Sequence, residues 1–260
     1  SASGKKPIPA HPLIDLGISS FKLHQELAKV LPEESNVNIG YKENISVSPA
    51  FTTEDVAMLK SQTEKSGEQL EWIENDSLWK LEPRLNRKAL GALISGQAQV
   101  VASQFVLALA KASERMGAKI RRAEAVGLKF QSRRVSEVQI NGENTISAKH
   151  IVLAMGPWSQ QITSWIDLKI PIYPVRGQIL QLRVPNPQIR GSISYGGMYV
   201  VSKADGTTLA GTTEEHESGF VNLPTSEGRE VIMEGILKLA PSLKEAEILN
   251  HVSGLRPGSD

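Results

Sequence analysis

The sequence has no cysteine, and aromatic residues make up only 5% of its 260 positions. The lack of cysteine excludes disulfide bonds, thiolate catalysis and cysteine-based metal sites. The longest apolar stretch, residues 150–158, is far shorter than the roughly 20 residues that a membrane-spanning helix needs. No signal-peptide pattern opens the chain. These absences predict a cytoplasmic protein with no role in a membrane.

An excess of charge of either sign is also lacking, because 29 lysines and arginines nearly balance 28 aspartates and glutamates. The sequence therefore predicts no nucleic-acid partner, since such partners require a basic surface. A hydrophobic content of 40% is enough for one large domain or two smaller ones. The sequence does not define an oligomeric state, and a homo-oligomer is compatible with it.

The usual catalytic and metal-binding patterns are missing as well. None of the patterns G-x-G-x-x-G, the Walker loop, H-E-x-x-H or G-x-S-x-G occurs. The five histidines lack ligand-like spacing, so no metal site is predicted. Glu214, Glu215 and Glu217 form an acidic cluster that suits metal binding or acid–base work. A solvated charge run after a strand is the commoner interpretation of such a cluster.

The spacing of apolar residues predicts four helices. Ser103 and Thr225 are expected to cap two of them, Pro32 to end the first and Gly117 to end the third. The predicted helices span about residues 13–31, 53–73, 103–116 and 225–240.

Strand patterns occupy most of the remaining chain. Asn141-Gly142 and Asp205-Gly206 are strong hairpin signals between apolar runs. Residues 150–155 form a continuous apolar run, which is typical of a strand buried on both faces. From Ile170 onward the alternation of side chains predicts an antiparallel sheet. Together with the helices, these strands predict a mixed α/β fold with two layers of different character.

Three short stretches carry features that suggest chemistry, and each has a plainer alternative. Gly156 follows the apolar run and would let a backbone approach a ligand, or it ends an ordinary strand. Arg176 starts a strand after a proline and is more typical of a structural residue. Arg256 precedes Pro257, which favours an extended backbone suited to gripping a carboxylate bidentately. The alternative for Arg256 is an ordinary surface arginine.

The order of these stretches resembles the FAD-dependent amino-acid oxidase family, in particular glycine oxidases of the thiamine-pathway type. The resemblance is weak before Leu90 and good from Gln99 onward. It rests on the stretches HIVLAMGPWS, PIYPVRGQILQL, MYVVSKADGTTLAGTTEEHESGF and SGLRPGSD. It implies part of a Rossmann-like FAD-binding domain combined with an antiparallel-sheet substrate domain.

The resemblance also implies domain boundaries. Residues 13–95 and 169–250 would form the substrate domain, and residues 98–165 would belong to the FAD-binding domain. Residues 251–260 would return toward the FAD-binding domain. The sheet of the substrate domain would then cover the isoalloxazine ring of FAD.

Site residues follow from the same resemblance. Arg256 is expected to bind the carboxylate of a small amino-acid or amine substrate, and Tyr199 to line its pocket. Val126 is expected near the adenine side of FAD, and Ala154, Met155 and Gly156 near the flavin nucleotide by backbone contact. The implied reaction is oxidative deamination of glycine or a small amino acid with release of hydrogen peroxide. It needs no catalytic side-chain base if the amine arrives deprotonated.

The chain also departs from the family pattern. The first strand with its G-x-G-x-x-G turn and a later segment that returns to the flavin are both missing. We therefore expect an interior portion of a longer enzyme that is inactive in isolation. Gly197 replaces a bulkier pocket residue, and Glu214 occupies a variable pocket edge. The alternatives are a substrate-domain fragment without FAD, a sarcosine or secondary-amine oxidase, and a glycerol-3-phosphate-type dehydrogenase.

Overall fold

The computed structural model describes residues 14–63, 70–132, 134–142, 144–186 and 188–259. The chain divides into two compact units. The first holds residues up to Asn44 together with Gln97–Arg121, and the second holds Ile45–Gly96 and the chain from Arg122 onward. The domain boundaries expected from the sequence are defined by the cofactor and substrate that each part would hold, and they stay predictions.

The first unit is built around two packed helices, α1 (Ile14–Ser35) and α4 (Ala102–Arg115). Its core contains Leu31, Ile39 and Ala108, all nearly inaccessible to solvent. Burial of these apolar side chains supplies most of the stability of such a short helix pair. The packing agrees with the amphipathic spacing that predicted both helices.

The second unit contains most of an eight-stranded mixed sheet. Its strand order is β11-β7-β10-β9-β8-β1-β3-β2. All the neighbouring strands from β11 to β8 pair antiparallel, whereas β1 and β8 pair parallel. The strands are β1 (Lys42–Ala50), β2 (Glu71–Ile73), β3 (Gly91–Gln99), β7 (Ile172–Arg183), β8 (Ser192–Tyr195), β9 (Met198–Ser202), β10 (Thr208–Gly211) and β11 (Glu247–Ser259).

Helix α5 (Ser226–Leu239) covers one face of this sheet, which we call the core face. Leu180, Val200 and Ala210 point toward the helix and are fully buried with Ile232 and Ile236. Because side chains alternate along a strand, the intervening residues of β7, β9, β10 and β11 lie on the opposite face. We call this second face the open face, and it carries Gly177, Tyr199, Gly211, Gly254 and Arg256.

A separate three-stranded antiparallel sheet follows α4 in the chain. The Asn141-Gly142 turn joins two of its strands, and Gly142 has a φ of 91° that suits glycine. The hairpin prediction is therefore confirmed. Asp205-Gly206 likewise joins β9 to β10 as predicted. The strands of the small sheet are β4 (Ala125–Gln131), β5 (Arg134–Ile140) and β6 (Asn144–Ser147).

The prediction of a fully buried strand over residues 150–155 is wrong. No strand among the described residues pairs with this run, and the side chain of Val152 is 88% exposed. A strand buried on both faces requires a neighbour on each side, and the run has none in the part of the chain that the structure describes. The run leads instead into the 3-10 helix Gly156–Ser164.

Three helix boundaries also differ from prediction. Helix α1 continues past Pro32 for one more turn and ends where Asn36 adopts a φ of 55°. Helix α2 (Thr53–Thr63) is followed, after residues outside the described ones, by strand β2 instead of more helix. Helix α4 is preceded by Val101 with no side-chain cap, so Ser103 does not cap it.

The prediction for α5 is confirmed, because the Thr225 hydroxyl accepts from the Gly228 amide and the helix ends before Pro241. The short helix α3 (Asn75–Leu81) completes the architecture. Across the described residues, no helix combines the length and the apolar character needed to cross a membrane. The structure thus confirms a mixed α/β fold with two distinct sheets.

Candidate active site

Arg256 lies on the open face near the end of β11. Its residue pairs with Val175 of the neighbouring β7, so its backbone is extended, as the following proline predicted. The side chain is exposed, and Nη2 donates a hydrogen bond of 3.0 Å to the carbonyl oxygen of Thr213. No carboxylate among the described residues forms an ion pair with it. The guanidinium is therefore anchored through Nη2, and it retains N–H donors that a ligand can use.

Gly177 lies directly under the Arg256 guanidinium. A Cβ built on Gly177 would lie 3.0 Å from Nη2 and 3.2 Å from Cζ of Arg256. Gly177 pairs across the strands with Gly254, where a Cβ would meet nothing within 4 Å. Gly177 is thus covered by the arginine, whereas Gly254 leaves bare backbone beside it.

Tyr199 lies on the same open face, on β9. Burial raises the pKa of its hydroxyl, and the positive charge of Arg256 acts in the opposite direction. Tyr199 and Arg256 therefore share the open face, on β9 and β11 of the same sheet. The structure thus brings together the two residues that the sequence assigned to substrate binding, although their roles stay predictions. Tyr199 is a neutral hydrogen-bond donor throughout the ordinary pH range.

Arg176 presents the opposite case, an arginine whose donors are occupied. Its Nε donates to Oε2 of Glu215 at 2.9 Å, and its Nη1 donates to the carbonyl of Leu223 at 3.2 Å. Only 12% of the Arg176 side chain is exposed. The structural interpretation of Arg176 is the one that these contacts support.

Glu215 is the centre of a network that sequence reasoning missed. Its Oε1 accepts from the Thr213 hydroxyl and from Nε2 of Gln178, each at 2.6 Å. Gln178 also accepts from the Thr225 amide, which ties the start of α5 to the sheet. Burial raises the pKa of Glu215, but hydrogen bonds from Thr213, Arg176 and Gln178 outweigh it and lower the pKa overall. With both carboxylate oxygens accepting hydrogen bonds, Glu215 holds Thr213, Gln178 and Arg176 in place.

A sequence signal for this network did exist. Arg176, Gln178, Leu180 and Leu182 are alternate residues of β7, so they lie on the same face of the sheet. The two leucines show that this is the core face. A charge on a core face requires a partner of opposite charge. That requirement would have pointed to a glutamate in the nearby acidic cluster.

The other two glutamates of the acidic cluster behave as a solvated charge run. Glu214 is exposed and lies 3.3 Å from Nε2 of His216, and Glu217 is exposed as well. The described residues contain no group of three or more side chains placed to hold a metal ion. The solvated interpretation is therefore correct for Glu214 and Glu217 and wrong for Glu215.

The residues expected near the cofactor fall into two places. Ala154 and Met155 line an apolar cavity of about 410 Å³ together with Ala125, Trp158 and other residues. Val126 follows Ala125 in the chain but does not itself line the cavity, and it is 46% exposed. Gly156 begins the 3-10 helix, which packs against β7 and β11, the strands that carry Gly177 and Arg256.

The fit of these residues to FAD can be judged from space and backbone shape. Gly156 has a φ of 54°, and a Cβ on it would meet nothing within 4 Å, so backbone is open to an approaching group. The apolar wall at Ala154 and Met155 and the bare backbone at Gly254 on the open face suit a flat aromatic ring. These residues fit the ring end of FAD. No glycine-rich phosphate loop occurs in the 260 residues.

Gly197, where a pocket side chain was expected from the family, has a structural explanation. Gly196 and Gly197 form the two-residue turn between β8 and β9, with φ values of 58° and 82°. Positive φ at both turn positions is the geometry of a type I′ turn and favours glycine. The turn accounts for Gly197 without reference to substrate size.

Comparison with known proteins shows which proteins the chain is similar to. Glycine oxidase of Geobacillus kaustophilus is 28% identical over 255 residues, which cover 96% of this chain and 67% of that protein. The bifunctional protein ThiO/ThiG of Trichormus variabilis is 27% identical, over 92% of this chain and 37% of that protein. The crystal structure of glycine oxidase from Bacillus cereus is similar with a TM-score of 0.88 and 27% identity, covering 99% of this chain and 72% of that one.

The family itself is identified by a match along nearly the whole chain. The sequence model of the DAO family, described as FAD dependent oxidoreductase, matches residues 3–260. The chain therefore belongs to the DAO family of FAD-dependent oxidoreductases.

Proposed function

We propose that this protein, in its full-length form, uses FAD to oxidise glycine or another small amino acid and releases hydrogen peroxide. Support comes from the family and from relatives named glycine oxidase. The observation that carries the proposal is the Arg256 guanidinium, which lies on the open face with no carboxylate partner among the described residues. An amino acid supplies the missing carboxylate.

Arg256 would bind the substrate carboxylate through donors that Thr213 leaves available. A planar guanidinium holds a carboxylate by two parallel hydrogen bonds, which fixes both the distance and the direction of the substrate. An uncharged amine offers no anionic group to this fork, whereas a phosphate can also accept two of its hydrogen bonds. The relatives named glycine oxidase are what favour an amino acid over a glycerol phosphate as substrate.

Tyr199 would donate a hydrogen bond from its hydroxyl to the bound substrate. Its raised pKa keeps the phenol neutral, so it remains a donor and adds no negative charge beside the carboxylate. With Arg256 fixing one end, a second hydrogen bond sets the rotation of the substrate about that end. Orientation of this kind is the main contribution a protein makes when a cofactor carries the redox step.

Because the cofactor would supply the redox chemistry, the side chains need only to bind and orient the substrate. When bound, FAD accepts hydride from the α-carbon of the substrate. Ala154, Met155 and Gly156 are the residues expected to lie against it, as an apolar wall and an open stretch of backbone. A substrate that arrives with a neutral amine needs no side chain to remove a proton.

An assay of the FAD-loaded protein on a panel of amines tests the proposal. Peroxide formation would be measured with glycine, alanine, sarcosine and glycerol 3-phosphate at equal concentrations. The proposal expects turnover of glycine or alanine that exceeds turnover of glycerol 3-phosphate by about tenfold or more, because glycerol 3-phosphate has no amine-bearing carbon to place at the flavin. Turnover of sarcosine alone would indicate a secondary-amine oxidase. Turnover of glycerol 3-phosphate alone would contradict the carboxylate assignment.

The visible absorption spectrum separates an enzyme from a binding module that lacks the cofactor. Purified protein that shows a stoichiometric flavin band supports the proposal, and colourless protein that takes up no added FAD contradicts it for this polypeptide. Fluorescence of free FAD during titration with the protein gives the same information at lower concentration.

A further inference from the structure

We infer that Gly177 is a positioning residue for Arg256, and that its missing side chain sets where the substrate carboxylate is held. The inference rests on the proposed function, because it takes Arg256 as the carboxylate-binding group. It adds a residue from a neighbouring strand that is argued to touch no substrate atom and to act through the guanidinium of Arg256.

The evidence is a measured lack of space on the open face. An alanine Cβ at position 177 would lie 3.0 Å from Nη2 and 3.2 Å from Cζ of Arg256, and 3.1 Å from Oγ1 of Thr212. Carbon atoms in proteins are usually 3.5 to 4.0 Å or so from their non-bonded neighbours. The guanidinium would have to rise from the sheet to accept such a methyl group. A side chain at position 177 would thus shift the guanidinium from its present position by a few tenths of an ångström.

The guanidinium cannot slide sideways without losing its anchor. Its Nη2 donates to the carbonyl of Thr213, and the same carbonyl also accepts from the Thr212 hydroxyl at 3.1 Å. Thr213 is held in turn by hydrogen bonds from its hydroxyl to Glu215 and from the Gln178 amide to that hydroxyl. Gly177 thus sets the height of the guanidinium and Thr213 sets its lateral position.

Backbone conformation gives no other reason for glycine at this position. Gly177 does not have a positive φ, unlike the glycines of the turns. Glycine inside a strand costs about 0.5–1 kcal/mol relative to alanine. A residue that weakens the strand and is not required by the turn geometry is explained by the close approach of Arg256. Gly254, across the strand pair, has open space instead.

Gly177→Ala should therefore leave the fold intact and weaken carboxylate binding. The methyl group meets the far end of a flexible side chain, so the protein can accept it by moving Arg256. Displacing a bidentate donor by a fraction of an ångström disrupts both hydrogen bonds, and we expect the Kd for a carboxylate to rise by about tenfold. The melting temperature should stay level or rise, because alanine favours the strand.

The experiment is calorimetric titration of the FAD-loaded protein with acetate, a carboxylate that cannot be oxidised at an amine. Four proteins are compared: the parent, Gly177→Ala, Arg256→Ala and the double variant. If Gly177 acts through Arg256, the double variant binds no more weakly than Arg256→Ala, because the displaced group is already absent. Gly96→Ala is the control, since Gly96 is a strand glycine whose added Cβ would meet nothing within 4 Å.

Each result has one interpretation. A rise in Kd for Gly177→Ala that vanishes in the Arg256→Ala background, with unchanged melting, supports the inference. Unchanged acetate affinity in Gly177→Ala while Arg256→Ala binds weakly overturns the inference and leaves the proposed function intact. Fully additive losses show a structural effect and also overturn it. Unchanged affinity in Arg256→Ala overturns the proposed function and this inference together.

Discussion

Arg176 and Glu215 are joined by four hydrogen bonds: each backbone amide donates to the other residue's carbonyl, and Nε and Nη2 of Arg176 both donate to Oε2 of Glu215, at 2.9 and 2.5 Å. This pair fixes the segment after β10 against β7. Thr213 belongs to that segment, and its carbonyl anchors Arg256. A structural pair on the core face therefore determines where the candidate substrate arginine lies on the open face.

Glu215→Gln should destabilise the protein by about 1.5–3 kcal/mol, the usual worth of hydrogen bonds to a charged group. The change leaves Arg176 without its counter-ion in a largely buried place. Because the folded-state pKa of Glu215 is lowered, its contribution is present above the unfolded pKa and is lost as pH falls through the folded value. Urea unfolding at pH 7 and at pH 4 measures both effects. Glu217→Gln, at an exposed position, should change neither, and equal losses in the two variants would contradict the account.

Gly228→Ala should destabilise α5, although alanine is the better helix former. A Cβ at this position would lie 2.3 Å from Nε2 of Gln178, which is fully buried and held by Glu215 and Thr225. Overpacking of this kind costs about 1–3 kcal/mol. Thermal unfolding measures the loss.

Gly17→Ala is the matched control for that variant, because Gly17 is also in the first turn of a helix and its added Cβ would meet nothing within 4 Å. Here the helix preference of alanine should dominate, with a gain of up to about 1 kcal/mol. The prediction is thus a difference in sign between two identical substitutions. A stabilised Gly228→Ala variant would show that the contact with Gln178 is unimportant.

Local sequence features predicted two hairpin turns and one helix cap correctly. They gave a wrong prediction where the structure depends on residues distant in the chain. Asn141-Gly142 and the Thr225 cap depend on backbone geometry within four residues, so the sequence reveals them. The run at 150–155 depends on neighbouring strands that residue type does not report, and its prediction was wrong. Composition alone cannot show whether an apolar run has found a partner.

The candidate site was predictable in its residue types but not in its supports. Arg256 was found from its proline neighbour and the family resemblance, and the structure places it on the same open face as Tyr199. The Thr213 carbonyl and the space at Gly177 are backbone features that carry no side-chain signature. For the Glu215 network, the sequence signal was the core-face position of Arg176, because a buried arginine needs a counter-ion.

His251 should make the protein less stable in mild acid. Burial lowers its pKa below the ordinary 6.5, and the positive charge of Arg229 acts in the same direction. Its Nε2 is buried and has no hydrogen-bond partner among the residues that the structure describes. The folded state therefore disfavours the protonated form. Stability is full above the unfolded pKa and is lost as pH falls below it toward the lower folded pKa.

The melting temperature of His251→Gln at pH 8 and at pH 5 checks this expectation. The drop between the two pH values should be smaller than in the parent protein. His150→Gln removes an exposed histidine and should leave the drop unchanged. An equal drop in the parent and in His251→Gln would show that His251 does not contribute to acid sensitivity.

Tyr199→Phe should lower kcat/KM for glycine by about tenfold, the loss of one hydrogen bond to a charged substrate. Because the pKa of Tyr199 is raised, the pH profile below about 9 should keep its shape in this variant. Tyr195→Phe removes a hydroxyl that donates to Asp55 instead and should leave the kinetics unchanged. A profile that loses an ionisation between pH 6 and 9 or so in Tyr199→Phe would contradict the assignment of a neutral phenol.

The central claim is that Arg256 binds the substrate carboxylate, and its most direct test is steady-state kinetics of Arg256→Ala with glycine. The account predicts a KM raised by about a hundredfold, since a charged bidentate contact is lost. Arg183→Ala removes another arginine of the same sheet, one that pairs with Glu247, and should leave the KM unchanged. A KM for glycine in Arg256→Ala equal to that of the parent protein would contradict the account.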